Sequence, residues 1–185
     1  MVCREKTVCF TGHRTLLADD TQLYARVYHV TEHLILQGFL YFGVGGARGF
    51  DLMASEAVLQ LKHKYPQIHL ILVLPFADHY HVESGWSPKE IKVYESLEQG
   101  ASKIVYVQKN YASGCYYKRN RHLVDFSSVC VCYQYKPTGG TAYTTKYAAA
   151  QGLTILNCAD PLLPRIYGGV VSRIFRTLVC RPWRE

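Results

Sequence analysis

The sequence predicts a doubly wound α/β domain, a mostly parallel sheet held between two layers of helices. Three observations carry that expectation. Short apolar runs of strand length alternate along the chain with segments of helical periodicity, so each strand is followed by a crossover helix. The run Ile68–Leu74 is almost continuously apolar, as strands are when both faces of a sheet are covered. The chain has 185 residues, 49% apolar and 19% charged, which suits one well-packed domain spanning residues 1–185 and excludes disorder. Parallel strands joined by right-handed crossovers give a three-layer sandwich.

Taken in order, Thr7–Thr11 reads as the first strand. Leu23, Val27, Val30 and Leu34 recur at helical spacing, opened by the capping candidates Asp19, Asp20 and Thr21 and closed by Gly38. Phe39–Val44 is the second strand, and Phe50, Met53, Ala54, Ala57, Val58 and Leu61 mark a helix that must end before Pro66. Ile68–Leu74 is the third strand. Ser87-Pro88-Lys89-Glu90 has the spacing of a capping box with proline at the first helical position, and Ile91, Tyr94 and Leu97 form the buried stripe behind it. Lys103–Val107 is strand four, Tyr116–Phe126 a helix, Ser128–Tyr133 strand five, Thr141–Gln151 a helix stopped by Gly152, and Thr154–Asn157 strand six. Val170, Val171, Ile174, Phe175 and Leu178 suggest a helical tail over about 165–185.

Twenty-one Lys and Arg against 14 Asp and Glu give a net charge of +7, which favours anionic partners without choosing among them. No run approaches the ~18–20 apolar residues that cross a bilayer, so no membrane association is expected. The first residues lack the apolar core of a signal peptide, and a cytoplasmic location is expected. The seven cysteines (Cys3, Cys9, Cys115, Cys130, Cys132, Cys158, Cys180) contain no C-x-x-C pair and read as reduced core residues.

In a doubly wound sheet, ligands bind outside the carboxyl ends of the strands, near the point where strand order reverses. Three loops rich in glycine or charge leave those ends: Gly12-His13-Arg14, Gly45-Gly46-Ala47-Arg48-Gly49-Phe50-Asp51, and Thr138-Gly139-Gly140-Thr141. Their convergence on one edge is more informative than any one of them. Glycines let the backbone approach a ligand, and the helix starts behind them offer free N–H groups and a positive dipole end to a phosphate. Arg48 and Arg14 add charge-assisted hydrogen bonds. The second loop also fits a plain strand–helix turn, Thr141 a helix cap, and Asp51 either a ribose-hydroxyl acceptor or a dipole complement. Lys118, Arg119 and Arg121 lie early in a helix, against its dipole, so they fit a nearby anion or a solvated face. The segment Pro75–Trp86 reads as a lid, with Trp86 or Tyr80 either stacking on a base or packing under the loop. His79, His81 and Glu83 are too sparse a set for a metal site. There is no G-x-x-x-x-G-K-[ST], which excludes Walker-type nucleotide hydrolysis.

Thr11-Gly12-His13-Arg14, the run Gly45–Glu56, Pro75-Phe76 with the later Trp86, and Arg119-Asn120 together resemble the YpsA-like branch of the SLOG superfamily, over most of residues 5–158. The resemblance implies a Rossmann-like fold that binds nucleotides or nucleotide-derived signals such as ADP-ribose derivatives, and relatives among LOG phosphoribohydrolases and DprA-type DNA-processing proteins. It also implies links to cell division and stress in some bacteria, and to phage relatives that sequester nucleotide immune signals. The LOG motif P-G-G-x-G-T-x-x-E carries a catalytic glutamate; aligned on Gly140-Thr141, that position here is Thr144, which cannot serve as a carboxylate acid or base. The leading expectation is therefore a sensor or sequestering protein for a nucleotide-derived small molecule, without turnover or cofactor, and as a homo-oligomer. A nucleotide N-glycosidase using Asp51, and a single-stranded nucleic-acid binder with a basic tail (Arg173, Arg176, Arg181, Arg184), are the alternatives.

Overall fold

The computed structural model describes residues 3–17, 20–160 and 163. The helical tail with its four arginines, Cys180 and the cap candidate Asp19 lie outside the described residues. The strands are β1 (Thr7–Gly12), β2 (Tyr41–Val44), β3 (His69–Leu74), β4 (Lys103–Tyr106), β5 (Val129–Tyr133) and β6 (Thr154–Asn157). The helices are α1 (Asp20–Leu36), α2 (Phe50–Lys64), α3 (His79–Val82), α4 (Pro88–Gly100), α5 (Cys115–Asp125) and α6 (Gly140–Ala150). The six strands form one sheet in the order β4-β3-β2-β1-β5-β6, and every pairing is parallel. The fold is therefore α/β and Rossmann-like, as the alternation of elements predicts. The order reverses between β1 and β5. Their register sets Gly12 beside Tyr133, so both strands end level and their following loops meet.

Alternation along the strands sorts the core into two layers, because successive side chains point to opposite faces. Val8, Phe10, Leu70, Leu72 and Leu74 pack with Leu23, Val27, Val58, Leu61, Tyr94 and Leu97 of α1, α2 and α4. Cys9, Ile71, Val73, Cys130 and Cys132 face the other way, onto Leu123, Val124 and Ala148 of α5 and α6. Each fully buried large side chain contributes about 1.5–3 kcal/mol of transfer free energy. Cys9, Cys115, Cys130, Cys132 and Cys158 are buried, whereas Cys3 is exposed. Desolvation raises the thiol pKa of Cys132 and pushes that of Cys158 up to about 12, which keeps both protonated.

Strand and helix boundaries mostly fall within one residue of the sequence reading, and the largest departure has a local reason. The second strand starts at Tyr41 rather than Phe39, because Gly38 turns left-handed (φ +93°) and the Phe39 N–H closes α1 on the Leu34 carbonyl, 3.1 Å away. The segment after β3 contains a single helical turn, α3. Ser87 caps α4 as the sequence suggests: its hydroxyl accepts from the Glu90 N–H while the Glu90 carboxylate accepts from the Ser87 N–H.

Candidate nucleotide-phosphate site

A concavity of about 360 Å³ opens at the β1/β5 switch point. β1 delivers its first wall. A Cβ on Gly12 would run into the Phe50 side chain, so glycine is what lets α2 close on this strand end. The turn that follows is tied down on both sides: the His13 N–H donates to the Tyr133 carbonyl and its carbonyl accepts from the Phe50 N–H, each at 3.3 Å. The His13 ring lies 4.1 Å from that of Tyr135, and its Nε2 accepts from the Lys136 N–H. Desolvation, then the Lys136 charge, lowers the His13 pKa, so the ring is a neutral wall of the pocket.

The floor is a buried ion pair. Asp51 and Arg119 are each more than nine-tenths buried, with Arg119 Nη1 4.0 Å from Asp51 Oδ2. Asp51 Oδ2 also accepts from the Ala47 N–H at 3.2 Å, and Arg119 Nη1 donates to the Gly45 carbonyl. Gly45 has no room for a Cβ because the guanidinium lies against it. Gly49 adopts φ +70° with the Arg14 carbonyl over it, so this loop needs glycine for its own geometry. Burial, resisted by Arg119, pushes the Asp51 carboxyl up to about 6, and burial lowers the Arg119 pKa. Arg119 Nε is buried without a hydrogen-bond partner.

The far wall is the start of α6. Gly139 is the N-cap at φ +95° and offers no side-chain cap, so Thr141 is the second helical residue and is not the cap. Gly140 and Thr141 line the pocket and carry first-turn N–H groups that have no acceptor within the helix. Tyr135 and Lys136 complete this side, with the Tyr135 hydroxyl donating to the Thr15 carbonyl. Arg14 sits at the rim, half-exposed, in an ion pair with Glu83.

The structure thus brings Gly12, His13, Arg14, Asp51, Arg119, Gly140 and Thr141 around one concavity. It places others elsewhere. Arg48 turns towards α4, with Nε 3.8 Å from Glu90 Oε1 and its guanidinium over Gly85. Gly46 is left-handed and gives its carbonyl to His79 Nε2 at 3.0 Å, so it anchors α3. Thr138 and Gly139 are exposed at the lip. Trp86 packs edge-on against Tyr94, His79 and Tyr80, and its Nε1 donates to Glu83 Oε2. The 79–86 segment is therefore an aromatic brace in this state. His79 Nε2 is engaged by the Gly46 carbonyl while its Nδ1 is buried without a partner, and Glu83 is engaged by Trp86 and Arg14. Lys118 and Arg121 are exposed on the opposite flank of α5 from Arg119. Asn120, which the resemblance includes, also lines the pocket, as do Tyr116, Tyr135 and Lys136, which the sequence did not mark as site residues. Lys136 was readable, since it directly precedes the glycine turn after strand five. Thr144, at the LOG glutamate position, is buried, donates to the Gly140 carbonyl and accepts from Asn120, each at 2.8 Å. It joins α5 to α6 behind the pocket.

Residues 22–154 match the model of the YpsA family, described as the YspA SLOG family. The chain belongs to this SLOG family. The UPF0398 protein YpsA of Bacillus subtilis is 26% identical over 132 residues, covering 66% of this chain and 72% of that one. A UPF0398 protein of Staphylococcus epidermidis is 29% identical over 104 residues, 52% of this chain and 54% of the relative. The chain thus spans about half the length of the staphylococcal relatives it matches. Two solved DprA structures share the fold. That of Streptococcus pneumoniae has a TM-score of 0.56 at 16% identity, over 80% of this chain and 48% of that one. That of Helicobacter pylori, described for its single-stranded DNA binding mode, has a TM-score of 0.56 at 17% identity, over 93% and 78%. Among the described residues no helix is long and apolar enough to cross a membrane.

Proposed function

We propose that the switch-point pocket binds the phosphate of a nucleotide, and that single-stranded nucleic acid is what presents it. The observation that carries the phosphate is the convergence of the α6 N-terminal N–H groups, Lys136 and Arg14 on one concavity whose buried floor holds Arg119. The helix N–H groups offer fixed dipoles to this volume, and Lys136 and Arg14 line it as cations that an anion could draw from Tyr135 and Glu83, which suits a dianion with several acceptor oxygens. The likeness to DprA, where the Helicobacter pylori protein binds single-stranded DNA, favours a strand as the source. The pocket's size supports a second reading: about 360 Å³ accommodates one nucleotide unit, so a free nucleotide derivative such as ADP-ribose is its competitor. Binding without turnover is the reading favoured by the engagement of Asp51, the carboxylate that lines the pocket among the described residues. Asp51 is held by Ala47 and Arg119.

Anisotropy with a labelled oligothymidylate and calorimetry with AMP and ADP-ribose separate the two. The strand reading expects the oligonucleotide to bind well above the free nucleotides, and Lys136→Glu to weaken it by about tenfold or more. Tighter binding of ADP-ribose than of any oligonucleotide reverses the assignment in favour of the small ligand. Absence of binding by all three overturns both.

A further inference from the structure

α5 has two flanks. One turns Arg119 and Asn120 into the switch-point pocket, and the other turns Tyr117, Lys118 and Arg121 into a second, wider concavity of about 910 Å³ that Tyr143 of α6 closes from the far side. The site described above does not use this second flank.

Its side chains form an ordered ridge. Tyr117 is 52% exposed, and its ring meets Tyr143 edge-on at 4.7 Å. The planes of Tyr143 and Tyr147 are parallel to within 2°, their centroids 6.5 Å apart, one helical turn along α6. The Arg121 guanidinium carbon lies 5.7 Å from both of those ring centroids, and its Nε donates to the Tyr143 hydroxyl at 2.5 Å. The Tyr147 hydroxyl donates to Asp125, which occupies the acidic side chain on this flank.

This ridge combines the exposed ring of Tyr117, the half-buried rings of Tyr143 and Tyr147 with their hydroxyls pinned at the distal ends, and the cations Lys118 and Arg121. That combination fits successive bases stacked on aromatic faces with the backbone phosphates held by cations, and it is tolerant of base identity because every base has a π-face. The positions connect. Gly140 lines the phosphate pocket and Tyr147 lies seven residues further along the same helix, a rise of about 10 Å.

We propose that the Tyr117–Tyr143–Tyr147 ridge with Arg121 and Lys118 is a base-stacking track for single-stranded nucleic acid, continuous with the phosphate pocket. It rests on the strand reading of that pocket. The track adds affinity only to ligands long enough to leave the pocket.

The test uses the full chain and labelled oligothymidylates of increasing length beside thymidine monophosphate. The double variant Tyr117→Ala, Tyr143→Ala is expected to lose about tenfold or more in affinity for the long oligonucleotide, with the monophosphate unchanged. Tyr117→Phe with Tyr143→Phe keeps the ring faces and is expected to bind as the native chain does. Lys136→Glu weakens both ligands. Long-oligonucleotide affinity that is unchanged in the alanine variant overturns the track and leaves the pocket standing. Loss of monophosphate binding in the alanine variant, or failure of the phenylalanine variant to restore the long-oligonucleotide affinity, also overturns it. If no oligonucleotide binds the native chain more tightly than the monophosphate does, the strand reading and the track fall together.

Discussion

Asp51 shows what one side chain decides in this site. Its carboxylate is the negative charge on the floor of the pocket proposed to take a phosphate, and desolvation lifts its pKa from 3.8 to about 6 despite Arg119. Because the folded value lies above the unfolded one, the native state holds the extra proton between them. The contribution of this group to stability is therefore greatest in acid and is lost as pH rises through about 6. Asp51→Asn removes that titration while keeping an acceptor for the Ala47 N–H. Urea unfolding near pH ~4 and pH ~8 should show the native chain's advantage over the variant shrinking toward the higher pH. A difference that stays constant would mean that the carboxyl titrates alike in both states. His79 works in the opposite sense: burial lowers its pKa below 6.5, so its contribution grows as pH rises. A variant is needed to isolate Asp51. From the sequence, Asp51 was a ribose acceptor or a dipole complement. The structure adds that it lines the pocket as the buried partner of Arg119.

At the scale of elements, the sequence was most legible where local chemistry dictates the backbone. Ser87, Pro88 and Glu90 announced the start of α4, and the capping box they form is complete. Ser87→Ala should cost about 1 kcal/mol, read as a lower urea midpoint at unchanged m-value, with phosphate binding untouched because α4 does not line the pocket. Loss of nucleotide affinity in that variant would show that the α4 start communicates with the site. Loops were less legible than helices. The glycines of the Gly45–Asp51 run read as a phosphate cradle, yet Gly45 makes room for Arg119, Gly46 supplies a carbonyl to His79, and Gly49 accommodates the Arg14 backbone. A glycine pattern reports that the backbone is crowded or left-handed. It does not report whether a ligand or the protein itself does the crowding.

At the scale of the whole molecule, the +7 charge becomes meaningful only through its placement. Among the described residues, Arg14 and Lys136 face the pocket, and Lys118 and Arg121 face the adjacent flank of α5. A strand that engages all four should release its counterions, so log affinity should fall against log salt with a slope of about −3, at ~0.7 per neutralised phosphate. A slope of about −1.4, the two pocket cations alone, would confine the contact to the pocket. The alternation of strand and helix, the parallel sheet and the glycine turns were set by the sequence alone, because periodicity and backbone freedom are local properties that survive without knowledge of partners. Which arginine faces the ligand was not. Arg48 and Arg119 are equally basic on paper, but Arg48 turns to Glu90 while α5 packing drives Arg119 beneath the pocket. Side-chain direction around a helix is decided by what that helix buries, and only the tertiary structure shows it.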